Sequence, residues 1–467
     1  LTDANLFPSR DERVRWNDLL TRSLDAADAR VSAGPVTPTL DLENFRSQLA
    51  GFDFSAPRRL DELFAWTIAG LESGVVHMNH PRYFGLFNPA PTFPAQCADR
   101  IAATFNPQLA TATTSPAAVA IESHVIRALA RRAGFSQTAA GHFTTGGSEA
   151  NGTAIICALT HAEPGFAARG ARAFSGQPVF YISRDSHLAW LKLAHQTGIG
   201  RDAARQVATD GAGRMSVAAL TEAIRADRAE GRVPFMIVAT AGTTNAGMID
   251  PLAPCSDLSR AEKMWFHVDA ARGGALIASD RLVGLLRGIE RADSVTIDAH
   301  KWFSTTMGCG MFLTPHPSVL SAAFNVATSF MPSRAEGVDP YVTTAQWSRR
   351  FLGLRLFLAL GAAGWQGYAA HVERAVALIR LLAEKIEEHG WRVVNDPALA
   401  VACLKPPPGS RPVGEIVGAV LATGRAWVSA AMFEGEPVVR ACVTHGETSR
   451  ADIDELVTVL EAARRFA

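Results

Sequence analysis

The chain has 467 residues, 48% hydrophobic and 19% charged, which supplies a large core and excludes a disordered protein. Its 45 basic and 45 acidic side chains cancel, so the charge balance points to neither nucleic acid nor an anionic membrane as the main partner. The six cysteines (Cys97, Cys157, Cys255, Cys309, Cys403 and Cys442) show no CxxC pair and no His/Cys metal spacing, so free thiols and no metal site are expected.

Residues 1–92 alternate amphipathic helical pattern with breaks at Gly34-Pro35 and Ala56-Pro57. Leu19, Leu20 and Leu24 give one of these helices an apolar stripe. The region carries no strand signal, so it is expected to lie against the main body or against another subunit. Asp3, Arg10, Asp11, Glu12 and Arg13 precede any apolar run, unlike a secretory signal. No uncharged apolar stretch is long enough to span a bilayer, and a cytoplasmic location is expected.

Residues 93–353 read as the largest unit. Short apolar runs at 179–183, 235–240, 266–269, 295–298 and 310–314 are separated by helix-length segments. That alternation predicts an α/β domain with a mainly parallel sheet covered on both faces. Thr-Thr-Gly-Gly-Ser-Glu-Ala-Asn at 144–151 precedes a helix-like run. Small residues such as Gly147 and Ser148 at a helix N-terminus suit an anion, although the same residues also make an ordinary capped turn. His187 closely follows the strand at 179–183, where an imidazole either stacks on a planar ring, serves acid–base chemistry or satisfies the structure. In the 242–250 loop, Thr244 is a candidate ring contact and Asp250 a candidate loop anchor.

The most informative residues are Asp269 and Lys301, delivered by neighbouring apolar strands one strand–helix–strand unit apart. Open α/β sheets bind ligands at the carboxyl ends of such strands. A carboxylate that keeps a pyridine nitrogen protonated, with a lysine that forms an imine, is the pair pyridoxal phosphate requires. The competing reading is a structural ion pair between the two. Beyond 353 come a long helical pattern to about 388, two apolar runs, a helix near 413–421, two more strands, and a last helix capped by Ser449 with Asp452. Residues 354–467 are thus expected to form a small α+β domain.

Taken together, these motifs resemble the group II pyridoxal-phosphate-dependent amino-acid decarboxylases, the family of aromatic L-amino-acid, histidine and glutamate decarboxylases. They comprise Gly-Gly-Ser-Glu-Ala-Asn, His187, Gly-Thr-Thr, His-Val-Asp-Ala-Ala and His-Lys-Trp. The likeness runs from Pro81-Arg-Tyr-Phe-Gly-Leu-Phe87 through Gln346-Trp-Ser-Arg-Arg350 to Val438-Val-Arg-Ala-Cys442. It implies the type I aminotransferase-like fold in a homodimer with shared active sites, residues 1–92 serving as the dimerisation segment. It also implies Lys301 as the Schiff-base lysine, Asp269 as the pyridine-nitrogen partner, His187 stacked on the ring and Ala271 on the opposite face. Gly147, Ser148, Asp298 and His300 would cradle the phosphate, with Thr244 near the ring oxygen. Met78, Leu86, Phe87 and Arg349 would face the amino-acid substrate.

The chain departs from the family pattern in several places. Ala299 stands where proline is common before His-Lys. Arg272 follows Asp-Ala-Ala where relatives carry an aromatic or small residue; a structural ion pair is its expected role, and reaching the cofactor or the substrate entrance is the alternative. Met78 and Leu86 replace aromatic residues. Phe330 occupies the loop position of the tyrosine that protonates Cα in the decarboxylases, and phenylalanine has no proton to give. Within the family that change accompanies aldehyde synthases, whose unprotonated quinonoid reacts with oxygen. Water, His187 or Tyr341, the one of the four tyrosines that lies in this region, is the alternative donor. Decarboxylation to an amine is the leading expectation, oxidative deamination to an aldehyde the second, and transamination the third.

Overall fold

The computed structural model describes residues 6–328 and 338–466. Three helices come first, Arg10–Ala33, Leu42–Ala50 and Leu60–Gly74, and the breaks between them contain the Gly34-Pro35 and Ala56-Pro57 pairs. Ser9 and Glu12 form a reciprocal capping box on the first helix. Across all three, Ala27 is the one buried residue. Helices draw most of their stability from packing an apolar face, so this region leans on contacts beyond its own residues.

The main body is built on a seven-stranded sheet. Its strands are β1 (Ala140–Thr144), β2 (Pro178–Ser183), β3 (Ala204–Val207), β4 (Val233–Thr240), β5 (Trp265–Asp269), β6 (Ser294–Asp298) and β7 (Gly310–Thr314). They lie in the order β1-β7-β6-β5-β4-β2-β3. Only β7 runs against its neighbours, pairing antiparallel with β1 and β6. β2, β4, β5 and β6 are buried along nearly their whole length, as expected for strands covered on both faces. β1 and β3 carry weak apolar patterns (Ala-Gly-His-Phe-Thr and Ala-Arg-Gln-Val) because they close the two edges, and they escape a reading by apolar runs.

The long helix predicted beyond residue 350 spans Gly353–Glu387 but is broken at Gly364, whose φ of 63° is left-handed. Next come β8 (Arg392–Val393), β9 (Val401–Lys405), β10 (Ser429–Phe433) and β11 (Glu436–Cys442), an antiparallel sheet in the order β10-β11-β9-β8. The final helix, Arg450–Ala463, starts with the Ser449–Asp452 capping box. No helix among the described residues is long and apolar enough to cross a membrane. The six cysteines are free thiols, and no cluster among the described residues has the ligands for a metal.

Arg349 belongs to this framework rather than to a substrate site. Its Nη1 meets Glu122 at 2.6 Å, with each side chain 4% exposed, and Glu122 also accepts from the Gly353 backbone N–H at 2.9 Å. Burial pushes the Glu122 carboxyl up, against the downward pull of Arg349. Removing one partner leaves the other charge buried and alone. Glu122→Gln should therefore destabilise the fold by about 3–5 kcal/mol in urea titrations, with KM of the folded fraction unchanged. A raised KM at wild-type stability would return Arg349 to substrate binding.

Candidate active site

A cleft of about 410 Å³ opens at the carboxyl ends of the parallel strands. Gly146 to Asn151 reach it from the turn after β1, His187 from beyond β2, Gly242 and Thr244 from beyond β4, Asp269 to Arg272 from β5, and Asp298 to Lys301 from β6. Gly147, Ser148, His187, Thr244, Asp269, Ala271, Asp298, His300 and Lys301 are thus brought together.

Asp269 is held rigidly. Its Oδ2 accepts from Asn151 Nδ2 at 2.8 Å and its Oδ1 from the Ala271 N–H at 3.2 Å. Asn151 Oδ1 in turn faces His267 Nε2 at 3.2 Å, His267 Nδ1 meets Ser294 Oγ at 2.8 Å, and Trp265 Nε1 donates to the same Oγ at 2.8 Å. The carboxylate only accepts, so Asn151 donates to it, the neutral His267 donates its Nε2–H to Asn151 Oδ1, and Ser294 donates to His267 Nδ1 while accepting from Trp265. Burial holds His267 neutral, with its pKa lowered to about 4. Asn151 and His267 lie within the sequence motifs, which give them no role of their own. The i and i+2 positions of His267 and Asp269 on a strand, both facing the same side, were the available signal.

Lys301 and Asp269 do not pair. Lys301 Nζ instead lies 3.1 Å from Asp298 Oδ2, so the strand-end ion pair is not between the two residues that suggested it. Asp298 Oδ1 is buried with no partner, and His300 Nε2 lies 3.8 Å from Oδ2. A carboxylate repels a phosphate, so Asp298 fits the phosphate cradle poorly and serves Lys301 instead. The helix Gly147–Ala162 has no side-chain cap at its N-terminus, and free backbone N–H groups at such an end suit an anion. A Cβ on Gly147 would sit 2.8 Å from Asp298 Oδ2, so only glycine lets that backbone come so close.

His187 is oriented by the Ala189 N–H, which donates to its Nδ1 at 3.1 Å and leaves Nε2 as the protonated nitrogen of the neutral ring. Burial lowers its pKa, and the nearby Asp269 opposes that shift. Asp250 anchors its loop as expected, accepting from the backbone N–H groups of Met215 and Thr240 at 2.7 Å each.

The four proposed substrate residues lie elsewhere in the single chain. Met78 and Leu86 are exposed outside the cleft, Arg349 is in the buried pair above, and Phe87 is fully buried edge-on to Trp302. Phe330 lies outside the described residues. Tyr341 stacks on Trp347 at 5.0 Å. Arg272 corrects the sequence reading: it lines the cleft and has no carboxylate within 4.0 Å among the described residues, so it makes no structural ion pair. Its guanidinium lies 4.9 Å over the Phe87 ring, and its one hydrogen bond is long, Nη1 to the Thr243 carbonyl at 3.4 Å. Burial, then repulsion from Arg440, lowers its pKa to about 9.

Residues 51–405 match the model of the pyridoxal-dependent decarboxylase conserved domain. The chain belongs to that family. The pyridoxal-dependent decarboxylases similar to it differ in what they are named for. The aromatic-L-amino-acid decarboxylase of Bacillus atrophaeus is 27% identical over 448 residues, 92% of this chain and 90% of that protein. The cysteine sulfinic acid decarboxylase of Mus musculus is 34% identical over 336 residues, 70% of this chain and 67% of that protein. The crystal structure of mouse CSAD superposes with a TM-score of 0.92 at 26% identity, covering 98% of this chain and 100% of that one. As a member of the pyridoxal-dependent decarboxylases, a group of carboxy-lyases, the chain uses pyridoxal phosphate. The cleft suits that cofactor by its own chemistry: a fixed carboxylate for the ring nitrogen, a primary amine for the aldehyde, and an uncapped helix N-terminus for the phosphate.

Proposed function

We propose that the protein removes the α-carboxyl group of an L-amino acid to give the amine, with Lys301 as the residue that bonds the cofactor. The observation that carries this is Asp269, fixed by two donors in the same cleft as an amine held 3.1 Å from its own counter-ion. Bound pyridoxal phosphate supplies an aldehyde for the substrate amine and a ring that takes up the electron pair left on Cα. Asp269 keeps a proton on the ring nitrogen. Asp298 holds Lys301 Nζ in place through the 3.1 Å ion pair. The Gly147–Ala162 helix N-terminus and Ser148 would hold the phosphate, Thr244 would meet a ring substituent, and Ala271 and His187 would cover the ring. The neutral His187 also has Nε2–H available to the departing carboxylate.

We place the enzyme in the cytoplasm as a homodimer. The near absence of buried residues in the three N-terminal helices supports pairing through that region. Phe330 supports a second outcome, in which an unprotonated Cα reacts with oxygen and water to give aldehyde, ammonia and hydrogen peroxide. A panel of amino acids incubated aerobically, with carbon dioxide, amine, aldehyde and peroxide all measured, separates the two. Amine equal to carbon dioxide with no peroxide is expected for the decarboxylase. Aldehyde and peroxide in equal amounts would establish the synthase. If Phe330 sets the outcome, Phe330→Tyr raises the amine-to-aldehyde ratio about tenfold or more, the scale of one well-placed general acid. An unchanged ratio would remove Phe330 from the reaction.

A further inference from the structure

Arg272, in the cleft, and Arg440, in the small sheet, are two buried cations that the chemistry above does not use. Arg272 is 7% exposed and Arg440, on β11, is 4% exposed. Neither has a carboxylate within 4.0 Å among the described residues, whereas Glu122, Asp227 and Asp298 each have a cationic partner. Arg440 Nη1 reaches Ser429 Oγ only at 3.4 Å, and its Nε and Nη2 are buried with no partner at all. Leaving a buried charge without a counter-ion costs several kcal/mol, so such a site calls for an anion that arrives from outside.

The cofactor phosphate is not that anion. Its cradle follows β1 and packs on the end of β6, whereas Arg272 follows β5 and packs on the turn after β4. A Cβ on Gly242, at a φ of 109°, would lie 3.0 Å from Arg272 Cβ, which shows how closely that turn supports the arginine. The α-carboxylate is a poor match too. It leaves as neutral carbon dioxide, so a guanidinium bound to it would stabilise the ground state more than the transition state. An anion that keeps its charge throughout the reaction has no such drawback.

We propose that Arg272, reinforced by the field of Arg440, receives a second anionic group on the substrate, so that the enzyme acts on α-amino acids with a carboxylate or sulfinate side chain. The proposal rests on the decarboxylase reading for its reaction but not for its binding site. Phe87 lies beneath the planar guanidinium and directs it, and the Thr243 carbonyl accepts from one of its nitrogens.

Two measurements on the holoenzyme test it. The first is calorimetric binding of succinate and glutarate against butyrate, none of which has an amine to react. A dicarboxylate should bind at least about 10-fold tighter than butyrate, and Arg272→Met should erase that difference, whereas Arg272→Lys should keep part of it. Cofactor absorbance and thermal midpoint of both variants report whether the protein is intact. The second is carbon dioxide release from aspartate, glutamate and cysteine sulfinate against tryptophan, phenylalanine and 2,4-diaminobutyrate. The acidic group should be preferred, and Arg272→Met should lower kcat/KM for it about 100-fold. Preference for an aromatic or cationic substrate, with no dicarboxylate binding, overturns the proposal and leaves the decarboxylase reading standing. Dicarboxylate binding lost in Arg272→Met, with no carbon dioxide from any amino acid, supports the anion site and overturns the reaction.

Discussion

Lys301→Ala is expected to lower kcat for carbon dioxide release by at least about 10³-fold and to abolish the covalent attachment of cofactor. Borohydride reduction followed by mass analysis of the digested protein reads the attachment directly: the wild type should carry the cofactor on the peptide containing Lys301, the variant nowhere. The size of the effect follows from what the cleft lacks. Lys301 supplies a primary amine there beside a carboxylate, Asp298, that shares its charge at 3.1 Å. The other basic groups facing the same space are Arg272, which cannot form an imine under these conditions, and the imidazoles of His187 and His300. Added amines should restore part of the rate, because the missing group is small and the cleft is open. Retention of a tenth of the wild-type rate would mean that the cofactor is held and turned over without this lysine.

A residue's role is legible in the sequence when that role is set by its near neighbours in the chain. Asp269 and Lys301 end apolar runs, and the run itself announces a buried strand, so their arrival at one sheet edge was legible. The Ser449 cap was legible too, since a cap is set within a few residues of chain, whereas the helix at Gly147 announced itself by small residues before an apolar run and carries no side-chain cap. Arg272 and Arg349 show where this fails. Both are arginines within strong motifs, and nothing local separates one that finds a carboxylate from one that does not. The partner of Arg349 is Glu122, more than two hundred residues earlier in the chain. The neighbours of Arg272 come from the turn after β4, from Phe87 and from the small sheet. Edge strands β1 and β3 escaped because a strand with one paired side needs fewer apolar residues. The relay behind Asp269 escaped because His267, Ser294 and Asn151 meet only once three elements are assembled.

Asp269→Asn should reduce kcat about 10²–10³-fold with the fold intact, and the relay explains why this substitution tests charge rather than shape. Each carboxylate oxygen of Asp269 accepts one hydrogen bond, from Asn151 Nδ2 and from the Ala271 N–H. An amide at 269 that keeps its oxygen toward Ala271 turns an NH₂ group toward Asn151. Asn151 can meet it by flipping, provided His267 shifts its proton from Nε2 to Nδ1 and donates to Ser294 Oγ. That oxygen has two lone pairs, so it can accept from His267 and from Trp265 together. The variant can thus keep every bond and lose only the negative charge, and with it the proton on the ring nitrogen. Carbon dioxide release is the primary readout, and cofactor dissociation during dialysis is the second, since an ionic bond to the ring is also lost. If Asp269→Asn keeps its rate within about tenfold, the ring nitrogen does not need a formal counter-charge, and Asp269 acts as a hydrogen-bond acceptor alone.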